Sequence, residues 1–121
     1  MEKKFLTDLK VGDVIYRLNE RTATENGVEE VTADEVDIIN DWLVVKCGDE
    51  TLIDWLISML DECETIHDYD DDDNCVYYGT SRDSVICAFN RSIDRDIDYY
   101  ENELKRIKGV IEKLKSQKLA L

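Results

Sequence analysis

The sequence predicts an α+β protein in which a small antiparallel sheet or partial barrel precedes one long C-terminal helix. Three observations carry that expectation. Residues 1–79 hold short β-branched and aromatic runs separated by turn-forming residues. From residue 80 onward the apolar positions switch to alternating three- and four-residue steps, the period of a helix face, and keep it for roughly 35 residues. Finally, the chain has no proline and five isolated glycines among 121 residues, so little interrupts a helix once it has begun. A hydrophobic fraction of 43% suffices for a modest core at this length.

Residues 5–13 read as a lead-in and a turn, and residues 14–19 continue as a strand. Asn26-Gly27 is the dipeptide that supplies the positive φ angles of a tight hairpin turn, so residues 14–19 and 28–32 are expected to pair across it. Residues 36–40 and 42–47 give two more strands, closed by a turn at Gly48-Asp49-Glu50. Leu52, Trp55, Leu56, Met59 and Leu60 then recur at helical spacing behind a Thr51/Asp54 capping box, predicting a short helix over 52–62. A competing reading pairs residues 51–57 with the preceding strand. The aspartate run that follows is expected as an exposed loop, with residues 75–78 returning as a short strand.

Ser81 is a suitable N-cap with Asp83 in the first turn. Ile86, Phe89, Ile93, Ile97, Tyr100, Leu104, Ile107, Ile111 and Leu114 then mark one continuous helix. Two successive four-residue steps, Phe89 to Ile93 to Ile97, interrupt the heptad. The first half is therefore expected on the sheet, and Ile97, Tyr100, Leu104, Ile107, Ile111 and Leu114 form a seam for a homodimer or a docked partner helix. Glu101 and Lys105 are spaced as an i, i+4 pair, and lysines crowd the last turns, where the helix dipole favours them. The chain thus divides at residue 79 into an acidic β-rich body and a long helix.

Charge narrows the function. Nineteen acidic and two basic side chains lie between Glu20 and Asp73, and the net charge is −16 over residues 1–79 against +2 over residues 80–121. Such a body repels phosphate and attracts cationic surfaces, which weighs against nucleic acid as a direct partner and towards a protein with a basic groove. No stretch has the run of about 20 apolar residues that a membrane span needs. The first residues lack the apolar core of a secretory signal, so a cytoplasmic address is expected.

Catalytic and metal signatures are weak. Cys47, Cys63, Cys75 and Cys87 include no close pair of the kind that builds a zinc site, and read as free thiols. Asp68, Asp70, Asp72 and Asn74 fall at the alternating positions of a calcium loop. Asp73, however, stands where that loop needs glycine, and Gly79 where it needs a bidentate glutamate. His67 is the single histidine, and no phosphate-cradling loop exists. No cofactor, no metal and no enzymatic activity are expected.

Residues 9–16, Leu-Lys-Val-Gly-Asp-Val-Ile-Tyr, resemble the opening strand of small SH3-like barrels, which makes an SH3-like partial barrel the alternative to a small sheet. Residues 76–84 are similar to the strand-to-helix junction of small phage and mobile-element proteins that finish in a long helix. In size, acidity and lack of catalytic motif the whole chain resembles phage-encoded inhibitors of bacterial defence, including anti-CRISPR proteins, several of which occupy basic nucleic-acid grooves. That resemblance implies an inhibitor in the host bacterial cytoplasm that presents carboxylates to a basic nucleic-acid-binding protein such as a Cas effector. Glu62, Glu64, Asp68, Asp70, Asp71, Asp72 and Asp73 are the expected field, with Tyr69 as an anchor. The alternative is a structural or assembly protein that works through the helical seam.

Overall fold

The computed structural model describes residues 3–120 and divides into two compact units, residues 1–89 and 90–121. In the first unit the strands are β1 (Val14–Asn19), β2 (Glu29–Thr32), β3 (Glu35–Ile39), β4 (Trp42–Cys47), β5 (Glu50–Leu56), β6 (Thr65–Tyr69) and β7 (Cys75–Gly79). A single helical turn, α1 (Ala23–Asn26), interrupts the β1–β2 connection, and α2 (Arg82–Ser116) begins in this unit and continues through the second. The architecture is α+β with one long C-terminal helix, as the periodicity predicts. Its strands form two antiparallel sheets, ordered β2-β1-β7-β6 and β3-β4-β5.

Alternation along the strands explains how the sheets pack. Ile15, Ile66, Val76 and Tyr78 of the first sheet share one buried cluster with Leu43, Val45, Leu52 and Ile53 of the second. Leu6, Leu9, Ala33 and Leu60 complete that cluster from the connecting segments. The opposite face of the first sheet contributes Leu18, Cys75 and Tyr77 to a second cluster, which Val85, Ala88 and Phe89 of α2 cover. Strand β7 is therefore buried along its whole length, and Tyr77 and Tyr78 both lie in the core, on opposite faces. Gly79 leaves no room for a side chain between β6 and α2: a Cβ there would stand 2.5 Å from Val85 Cγ2 and 2.8 Å from Thr65 Cγ2.

Two local expectations are corrected. The helix expected over 52–62 is strand β5, paired with β4 as the competing reading has it, followed by a short 3-10 turn at Ile57–Met59. Val45 pairs with Ile53 but Lys46 pairs with Thr51, so Leu52 is an extra residue in a bulge, and Leu52 and Ile53 are buried side by side. The bulge breaks the two-residue period and leaves an apolar spacing that imitates a helix. Asn26-Gly27 does not form a two-residue hairpin turn: Asn26 ends α1, and Gly27, at φ 60°, caps it. The tight turn lies instead at Asn40-Asp41, both at positive φ (51° and 67°), between the paired residues Ile39 and Trp42.

The N-terminus of α2 follows its sequence. Ser81 Oγ accepts from the backbone N–H of Ser84 at 3.1 Å, the capping bond its position predicts. Val85 is buried, whereas Ile93 is already 41% exposed. Among the described residues no helix is long and apolar enough to cross a membrane.

Candidate functional site

The aspartate run is less of a loop than its composition predicts. Asp68 and Tyr69 belong to β6, whose last pair is Tyr69 with Cys75, and residues 70–74 make the hairpin connection. Asp70 organises that turn. Its Oδ1 accepts from the N–H groups of Asp72 (3.0 Å) and Asn74 (2.8 Å), and its Oδ2 accepts from Asn19 Nδ2 at 3.1 Å. The backbone closes around it, with Asp70 N donating to Asn74 O and Asp73 N donating to Asp70 O. These donors, Asn74 N–H first, hold the Asp70 carboxyl below the ordinary aspartate range. The Asp70 carboxylate is thus engaged by N–H donors of its own turn and by the Asn19 amide.

With Asp70 committed to the turn, Asp68, Tyr69, Asp71, Asp72 and Asp73 are the exposed members of the run. Tyr69 is 63% exposed, and its ring meets His67 edge-on at 6.2 Å. Asp72 forms an outlying ion pair with Arg21 at 3.7 Å. The other ion pairs among the described residues are Lys4–Asp13 and Glu103–Arg106, so among those residues Asp68, Asp71 and Asp73 have no ion-pair partner.

Folding also changes the membership of the patch. Glu62 and Glu64 precede β6, five strand residues away from the turn, which at about 3.3 Å per residue is roughly 17 Å. They do not join it. Glu50, at the start of β5, does: it lines a cleft of about 260 Å³ with Asp68, Tyr69, Asp70 and Asp71. Arg17 of β1 enters the same cleft, its guanidinium 5.9 Å from the centre of the Tyr78 ring and its Nε buried without a hydrogen-bond partner. Burial, first of all, raises the Tyr78 hydroxyl above its ordinary range. The sequence signals neither Glu50 nor Arg17, because Arg17 is brought here by the pairing of β1 with β7 and Glu50 by the packing of the second sheet on the first.

The second predicted surface lies on the other unit. Ile97, Tyr100, Leu104, Ile107, Ile111 and Leu114 are between 45% and 68% exposed, on consecutive turns of α2. The ion pair on this stretch is Glu103–Arg106 at 3.1 Å rather than Glu101–Lys105. The four thiols are unpaired; Cys75 is buried and Cys87 is exposed. Among the described residues no group of histidine, cysteine and acidic side chains could hold a metal ion. No known protein family matches this chain, and no curated protein or solved structure does so either.

Proposed function

We propose that the chain is a non-enzymatic acidic inhibitor that binds a basic nucleic-acid-binding groove of a host nuclease or defence effector, placing carboxylates where phosphates lie. The observation that carries this reading is the charge at the β6–β7 hairpin: Asp68, Asp71 and Asp73 are exposed and form no ion pair among the described residues, beside the exposed ring of Tyr69. Carboxylates held on a paired strand and a hydrogen-bonded turn lose little freedom when an arginine engages them, and such contacts can be short and bidentate. Tyr69 adds apolar area that an all-anionic surface lacks. The free thiols fit a reducing bacterial cytoplasm.

The test is capture from bacterial lysate on the immobilised chain, followed by titration with salt and with competitor DNA. A nucleic-acid-binding protein should be retained, released as salt rises, and displaced by DNA. D71N/D72N/D73N should weaken retention by about tenfold or more. Retention of no nucleic-acid-binding protein, or binding insensitive to both salt and DNA, refutes the reading.

A further inference from the structure

We propose that residues 97–114 of α2 pair with the same segment of a second copy in antiparallel orientation. Ile97, Tyr100, Leu104, Ile107, Ile111 and Leu114 follow one another in strict alternating steps of three and four, the spacing of a two-helix seam, and all are exposed. At 1.5 Å per residue the stripe is about 26 Å long, between two and three heptads. Exposed apolar rows of that length are unfavourable in water and call for a cover.

Charge selects the occupant and its direction. Residues 90–103 carry five acidic and two basic side chains, whereas residues 104–118 carry one acidic and six basic. The helix is thus anionic in its first half and cationic in its second, a pattern complementary to itself only when reversed. The positions flanking the seam agree. With Ile97, Leu104 and Ile111 at one core position of the heptad and Tyr100, Ile107 and Leu114 at the other, the residues following the second set are Glu101, Lys108 and Lys115, preceded a heptad earlier by Asp94. In an antiparallel pair Ile97 meets Leu114 of the second copy, Tyr100 meets Ile111, and Leu104 meets Ile107. Asp94 then faces Lys115 of the second copy and Glu101 faces its Lys108, each contact occurring twice. A parallel pair would set Asp96 against Glu101 of the second copy, a like-charge contact that offsets the attraction of Glu103 for Lys108 there. It would in addition bring both net −16 segments, residues 1–79, to the same end of the paired helices, because each is joined to its own helix at the N-terminal end. The pairing stands independently of what the acidic hairpin binds.

The test uses the full chain and three surface variants in sedimentation equilibrium. The parent chain should show the mass of a dimer at high concentration and dissociate on dilution, and L104D should be monomeric with an unchanged near-ultraviolet circular dichroism spectrum. D94K/E101K replaces four attractive contacts with four repulsive ones in the antiparallel pair, raising the dissociation constant by about 100-fold. In a parallel pair the same variant would create attractive contacts and tighten the dimer. Mixing D94K/E101K with K108E/K115E should restore association as a heterodimer. A monomeric parent at every soluble concentration overturns the proposal, and so does tighter self-association of D94K/E101K.

Discussion

Asp70 and its neighbour Asp71 have the same side chain and opposite fates. Asp70 accepts two backbone N–H groups of its own turn and the amide of Asn19, fifty-one residues earlier, while Asp71 is left to solvent. Nothing in a run of identical residues announces which carboxylate the turn will use, because the choice depends on Asn19 at the end of β1. Asp13 behaves like Asp70: Lys4 Nζ at 2.6 Å and the N–H of Lys10 at 2.8 Å lower its pKa. Groups whose folded pKa is depressed stabilise the fold above their unfolded value, near 3.9, and lose that contribution as pH falls through the folded value. D70N keeps one acceptor oxygen but loses the charge. Its urea midpoint should therefore lie below that of the parent at about pH 6, and the difference should shrink as pH falls below about 3.9, where the carboxyl of the unfolded chain takes up its proton before that of the folded one. A constant difference across that range would show that the charge of Asp70 does not contribute.

Among the elements, the longest and most regular signal agrees with the structure and the shortest does not. α2 runs to Ser116 from a cap at Ser81, as its period and its capping residue predict, because some 35 residues of one period leave no competing structure. β5 differs from its predicted helix because seven residues with a bulge satisfy two periods at once, and pairing with β4 decides between them. β6 has no clear signal in the sequence: His67 and Asp68 carry little strand propensity, and the segment is a strand because β7 is beside it. G79A places a methyl group against Val85 and Thr65 at the contact between sheet and helix, and should cost about 1–3 kcal/mol in urea denaturation. D41G relieves a positive φ of 67° at the second position of the β3–β4 turn. It should stabilise by about 0.5–1 kcal/mol, the gain being limited by the added freedom of glycine in the unfolded chain.

For the molecule as a whole, charge is the property that solution conditions alter most directly. A net charge of −14 with three ion pairs among the described residues leaves most of the acidic side chains repelling one another. Raising sodium chloride from about 0.02 to 0.3 M at neutral pH shortens the Debye length several-fold and should raise the unfolding temperature by about 4 °C or more. The same addition should have little effect near pH 4.3, where the net charge vanishes. A salt response that is the same at both pH values would mean that self-repulsion is not what limits stability.

The order of amino acids is enough to specify the class of the fold, the length and start of α2, the apolar seam along it and the anionic character of the body. Each of these is a sum or a period over many residues and survives local errors. Which acidic residues stand together follows from the folded chain alone. Folding separates Glu62 and Glu64 from the hairpin by the length of β6, brings Glu50 and Arg17 to it across two sheets, and withdraws Asp70 into the turn. Composition fixes how much charge a surface carries, but position follows from strand register, and register is set by buried side chains distant in sequence.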